Sequence, residues 1–163
     1  MSERRLILMR HAKSSWAREG LTDHQRPLNS RGRASAPRMA QELSTRGWLP
    51  DHVVSSTAQR TLETWSLMEP VLGGLPFVTS DALYLAGLGA IQTHAHTWSP
   101  DWTCVLVLGH NPGWSEAASR LTGTPIEMTT ANCVLMTGIG ATWAEALSAH
   151  WNLTALLRPR EPR

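Results

Sequence analysis

The chain predicts an α/β layered domain, and three observations carry that reading. Short apolar runs alternate with segments that bear helix start and stop signals. The runs Leu6-Ile7-Leu8-Met9, Val53-Val54-Ser55-Ser56 and Val105-Leu106-Val107-Leu108-Gly109 read as buried strands. Each run leads into a turn bearing arginine or histidine: Arg10-His11, then Arg60 one turn after Ser56, then His110.

In chain order, the first strand covers Leu6 to Met9, and a polar loop follows from Ala12 to Asn29. A helix then begins, capped by Asn29 or Ser30, runs through Met39 and Leu43 and ends at Gly47. A strand from His52 to Ser55 precedes a second helix. There Ser56-Thr57-Ala58-Gln59 fits a capping box, with Pro70 and Gly73-Gly74 as the stop. Pro76 to Thr79 predicts a third strand, Gly89 to Thr97 a helix, and Thr103 to Leu108 the next strand. Asn111-Pro112 predicts a helix start, with Asn as cap and Pro at the first helical position, and Gly123 its end. Asn132 to Thr137 and Trp151 to Leu157 read as strands; Thr142 to Leu147 fits either strand or helix.

Bulk properties narrow the function classes. A length of 163 residues suits one domain, residues 1–163, with a real core. Hydrophobic residues make up 42% and charged residues 17%, the balance of a soluble globular chain. A formal charge of +2 without blocks of like charge argues against nucleic acid; Arg158, Arg160 and Arg163 read as a solvated tail. Cys104 and Cys133 lie in apolar runs and read as buried small hydrophobes, forming neither a disulfide scaffold nor a metal motif. No run approaches the length of a membrane span and no leader pattern is present, so the expected setting is cytoplasmic. Of the eight tryptophans, Trp16 and Trp114 fall beside the arginine and histidine turns and are expected at the rim of a site.

In open α/β sheets, ligands bind in the crevice at the carboxyl ends of strands. If the three turns meet there, two guanidiniums and two imidazoles surround one small space, a donor set suited to phosphate. A neutral histidine ring nitrogen can attack phosphorus, and a nearby arginine disfavours protonation of that ring. Arg10 beside His11 fits this, provided the strand stops at about Met9 so that both residues turn inward. Arg60 in the first turn of its helix and His110 before the next helix share the positive environment of a helix N-terminus. A protonated His110 would donate to a phosphate oxygen.

The segments Met9-Arg10-His11-Ala12-Lys13-Ser14, Arg26-Pro27-Leu28-Asn29-Ser30-Arg31-Gly32, Ser55 through Thr64 and Gly109-His110-Asn111-Pro112, in this order, resemble the histidine phosphatase (phosphoglycerate mutase-like) superfamily. In its short form the chain resembles the SixA-type phosphohistidine phosphatases, over roughly residues 6 to 157. The resemblance implies a three-layer α/β sandwich with a mixed, mostly parallel sheet, and no metal or organic cofactor. It implies a transient phosphohistidine on His11, within a phosphate pocket of Arg10, Arg60 and His110. The expected partner is a phosphorylated protein carrying phosphohistidine, or a small phosphorylated substrate.

The chain departs from these relatives in places. Ala17 stands where mutase relatives have asparagine, which argues against a phosphomutase, and Gln25 stands where SixA-like relatives often have aspartate. No inserted acidic segment is present, so the candidates for the general acid are Asp23 and Asp81. An imidazole leaving group needs such an acid less than an alkoxide does. The rival of a different class is a non-catalytic phosphate-recognition module, for which a nucleophile would be superfluous. Lys13, Ser14, Arg26 and Arg31 are expected either at substrate or as loop and surface residues, and His24 at the surface near the pocket mouth. His94 and His96, two apart on a helix, do not share a face for a metal. His52 and His150 are expected to meet solvent.

Overall fold

Six strands form one sheet in the order β3-β2-β4-β1-β5-β6 in a computed structural model that describes residues 3–17 and 19–159. The strands are β1 (Glu3–Arg10), β2 (His52–Ser56), β3 (Phe77–Ser80), β4 (Cys104–Gly109), β5 (Cys133–Ile139) and β6 (Asn152–Leu157). β1 to β4 pair in parallel, while β5 is antiparallel to both β1 and β6, so the sheet is mixed and mostly parallel. Helices α1 (Ser30–Thr45), α2 (Gln59–Leu72), α3 (Leu88–His94), α4 (Gly113–Thr122) and α5 (Trp143–Ala146) complete the layers. The region Thr142 to Leu147, open between strand and helix in the sequence, is helical.

The pleat of β1 sorts its side chains to the two faces. Ile7 and Met9 join Met39, Leu43, Trp65 and Met68 of α1 and α2. Leu6 and Leu8 join Ile91, Trp114, Leu121 and Trp143 on the other face. Both cysteines are free and buried. Among the described residues no helix is long and apolar enough to cross a membrane.

Several local expectations are corrected. The capping box at Ser56 does not form: Ser56 is the last residue of β2, and α2 starts at Gln59 without a side-chain cap. Pro70 does not stop α2, which tolerates it in its last turn and ends at Gly73, whose positive φ suits glycine. α4 starts one residue later than expected, so Pro112 is not its first helical residue. The cap position falls on Pro112, not Asn111, although Asn111 Oδ1 accepts from Ser115 N and Ser115 Oγ in the first turn. β1 runs through Arg10 rather than stopping at Met9. Arg158 is described and donates to Thr129 Oγ1 and Asn132 Oδ1 rather than trailing in solvent. Arg160 and Arg163 lie outside the described residues.

Candidate active site

The register of the parallel strands decides where the site lies. Arg10 pairs with Gly109 at the ends of β1 and β4, and Ser55 of β2 pairs with Leu108. The three strands therefore finish flush, and His11, His110 and the start of α2 emerge side by side at one sheet edge. The His11 backbone stays anchored past the strand, its N–H donating to Gly109 O and its carbonyl accepting from Ala131 N. A cavity of about 460 Å³ opens here, lined by Arg10, His11, Arg60 and His110 together with Asp23 and Arg26.

His11 is 6% exposed, and its Nδ1 sits 2.6 Å from the carbonyl oxygen of Ala12. A carbonyl only accepts, so Nδ1 carries the proton and Nε2 keeps its lone pair. Arg60 Nε donates to that Nε2 at 3.3 Å. Burial, followed by the charges of Arg60, Arg10 and Arg26, outweighs the Ala12 hydrogen bond and drives the ring from 6.5 to about 3. The ring is neutral at pH 7, with a nitrogen lone pair facing a guanidinium. The support is layered: Ala12 N donates to Thr64 Oγ1, which donates to Arg60 O on the same helix.

Arg60 is 2% exposed and clamped by Asp23. Its Nη1 donates to the Asp23 carbonyl at 2.7 Å and its Nη2 to Asp23 Oδ2 at 3.0 Å. Arg26 Nε donates to Asp23 Oδ1 at 3.0 Å, and the Tyr84 hydroxyl donates to Oδ2. Burial alone would raise the carboxyl, but the hydrogen bonds of Tyr84, Arg26 and Arg60 win and hold it well below the usual carboxylate range. Asp23 thus enters the site ionised. The Tyr84 hydroxyl is raised, by burial and by the same carboxylate.

His110 is 1% exposed, and its ring centroid lies 5.4 Å from that of His11. Burial first, then the neighbouring His11 and Arg60, lowers it to about 3, so it is neutral at pH 7 and the condition set for a protonated donor is not met. Its Nε2 pairs with Ser56 Oγ at 2.8 Å. Arg10 Nη1 donates to Met128 O, while burial and the Arg60 charge lower its pKa. Arg10 Nε and His110 Nδ1 are buried without a hydrogen-bond partner among the described residues. Two orphaned nitrogens on residues lining one cavity are costly unless a ligand there pairs with them. Arg10, Lys13, Arg26 and Arg60 stand against the single carboxylate of Asp23 in the lining, so an anion would offset that cost.

The four residues Arg10, His11, Arg60 and His110 are brought together as expected. Of the two acid candidates, Asp23 lines the cavity and Asp81 does not. Asp81 is exposed and accepts from Thr57 Oγ1 at 2.5 Å. Arg26 is neither simple surface charge nor a loop residue without partners: it is 9% exposed, with Nη1 donating to Ser14 Oγ. Trp16 is at the rim, 78% exposed under the Arg26 guanidinium, 3.5 Å away. Trp114 is not at the rim. α4 turns it fully inward, and its Nε1 donates to Val107 O.

The smaller histidine expectations divide as well. His24 is half-buried, bonded through Nε2 to Thr57 Oγ1 and set edge-on to Tyr84. His52 stacks on Trp102 at 3.7 Å instead of simply meeting solvent. His94 accepts from Trp98 Nε1, and His150 is exposed. Sequence reasoning missed Tyr84, Ser56 as the partner of His110, and Thr64. The chain's single tyrosine was a signal; the two hydroxyls carried none, because their partners lie far away in sequence.

Comparison with known proteins places the chain in a family and a fold. The model of the histidine phosphatase superfamily (branch 1) matches residues 6–103. An uncharacterised chloroplastic protein of Arabidopsis thaliana is 39% identical over 96% of this chain and 78% of its own length. Among solved structures, a protein assigned as phosphohistidine phosphatase SixA from Nakamurella multipartitia is 27% identical. It superposes with a TM-score of 0.86 over 98% of both chains. Its counterpart from Agrobacterium tumefaciens is 26% identical, with a TM-score of 0.82 over 96% of this chain and 98% of that one.

Proposed function

The chain belongs to the histidine phosphatase superfamily, and from that premise we propose that it hydrolyses protein phosphohistidine through a transient phosphohistidine on its own His11. The observation that carries the reading is the fixed tautomer of His11: Nδ1–H held by the Ala12 carbonyl, the Nε2 lone pair turned to Arg60, and the ring neutral. A recognition module needs donors only, and gains nothing from a buried nucleophile.

In the first half-reaction Nε2 of His11 attacks phosphorus and the P–N bond of the substrate breaks. A substrate imidazole protonated on its other nitrogen leaves as a neutral ring and takes no proton from the protein. Arg10, Arg60 and Arg26 face the phosphoryl oxygens, and stabilise charge that the transition state spreads over them. With the Ser56 hydroxyl donating to His110 Nε2, His110 presents Nδ1–H as a further donor while staying uncharged. In the second half-reaction water attacks phosphorus as the P–N bond to His11 breaks; the water proton stays with the departing phosphate as H2PO4−, and His11 recovers its lone pair. An ionised Asp23 serves poorly as the acid an alkoxide would require; its carboxylate instead orients the guanidiniums of Arg60 and Arg26. The chemistry draws its electrophilic assistance from guanidiniums, so it calls for no metal or organic cofactor. The names of the SixA neighbours support phosphohistidine as the substrate class.

The test is turnover of a phosphohistidine-bearing protein and of an aryl phosphate by wild type and by His11→Ala. We expect release of phosphate by wild type, a loss of at least about 10³-fold in His11→Ala, and retained phosphate binding by the variant. A folded wild type inactive on both substrates would leave the recognition-module reading in its place.

A further inference from the structure

Beside the proposed active site lies a second cavity, of about 550 Å³, between the start of α1 and the segments 129–130 and 158–159. Four cationic side chains line it: Lys13, Arg31, Arg38 and Arg158. The rest of its lining is small, the hydroxyls of Ser30, Ser35, Thr129 and Thr130 with Ala34 and Pro159, and no carboxylate is among it. Lys13 and Thr130 line both this cavity and the one holding His11, so the two are contiguous across the loop that follows His11. That ridge is rigid. Asn29 N donates to Lys13 O, and a Cβ on Gly32 would stand 2.1 Å from the same oxygen.

Resting on the phosphohistidine reading above, we infer that this basic groove docks acidic side chains of the substrate protein that flank its phosphorylated residue. The lining decides the class of ligand. No aromatic ring is present to stack a base or a sugar, which removes the usual platform for a nucleotide. The cations are long side chains, exposed or half-buried, on three separate segments. Such an array suits several carboxylates spread over a polypeptide better than one compact, chelated anion. Arg158 donates to neutral oxygens, those of the Thr129 and Asn132 side chains and the Glu127 carbonyl. The positive end of the 16-residue α1 also faces this side. Exposed charges act at longer range than contacts, so the groove governs capture and its dependence on salt more than the chemical step.

The experiment uses three phosphohistidine peptides of equal length, flanked by glutamates, glutamines or lysines, with an aryl phosphate as reference. It compares wild type with the double variant Arg31→Glu/Arg38→Glu, which leaves Lys13 and the catalytic pocket untouched. At low salt we expect kcat/KM on the glutamate peptide to exceed that on the lysine peptide by about tenfold, and the gap to close at high salt. The double variant should lose or invert the preference and keep its aryl phosphate rate. Equal rates on the glutamate and lysine peptides in wild type overturn the inference, as does a double variant that loses the aryl phosphate rate in equal measure. A second measurement separates the two readings: anisotropy of a labelled, unphosphorylated glutamate peptide. If wild type turns over aryl phosphate but none of the phosphohistidine peptides, the substrate reading has failed. The groove then stands if the labelled peptide binds wild type in a salt-sensitive way and not the double variant, and falls if it binds neither or both.

Discussion

At His11 a backbone carbonyl one residue away chooses which nitrogen is free, and burial chooses the charge. Both His11 and His110 are lowered from 6.5 to about 3. As pH falls below about 6.5 the unfolded chain takes up a proton at each ring and the native state does not. Native stability is therefore full above that pH and is lost as pH falls toward 3, by about 1.4 kcal/mol per pH unit for each ring. Thermal unfolding from pH 7 to 5 should show this slope, and His11→Gln should remove roughly half of it. An unchanged slope in the variant would mean that the ring is protonated in the native state. Arg60 is the second decisive residue, since one guanidinium reaches both His11 Nε2 and Asp23. Lysine keeps the charge but loses the fork. We expect Arg60→Lys to lower kcat/KM by about 10²-fold with an unchanged circular dichroism spectrum.

Elements hold the site through close backbone contacts. Two of these contacts involve glycines outside the catalytic set. Gly32 in the first turn of α1 packs on the carbonyl of Lys13, and Gly113 at the start of α4 packs on the carbonyl of Ala86, 1.8 Å from where a Cβ would stand. Neither neighbour is a flexible side-chain end, so the backbone itself must move. Gly32→Ala should displace the loop after His11, costing about 1–3 kcal/mol and lowering kcat about tenfold. Urea unfolding read beside steady-state kinetics checks both. Gly113→Ala should act on the other wall, through the segment that carries Tyr84 and Leu85 into contact with the site.

On the scale of the whole molecule, the chemistry and the anchoring of the sheet sit at opposite ends of β1. Arg4 is 1% exposed and donates to four carbonyls, those of Pro100, Trp102, Gly140 and Ala141. It lies six residues from Arg10, about 20 Å along an extended strand. Arg4→Leu removes the guanidinium from all four carbonyls, of which Trp102 O keeps Trp143 Nε1 as a donor, and should cost about 2–4 kcal/mol. The lower melting temperature should come with near-normal kcat below it, because the site end of the strand is untouched. A matching loss of kcat at low temperature would contradict this separation.

The sequence by itself determined the strand and helix order, because apolar runs and turn residues are local signals, and it offered the convergence of Arg10, His11, Arg60 and His110 on the condition that three strand ends meet, which the parallel register meets. It also offered Asp23 and Asp81 as equal candidates. Only the tertiary structure brings Asp23 to the cavity, leaves Asp81 outside it and holds Asp23 ionised, since the state of a carboxylate depends on the Arg26, Arg60 and Tyr84 that fold around it, and Tyr84 lies 61 residues away. The same holds for Ser56, which reads locally as a helix cap. In the fold its hydroxyl meets His110, 54 residues on, and accepts from Ala58 N. A polar side chain near several partners takes the one that leaves the fewest buried groups unpaired, and that count exists only once the chain has closed.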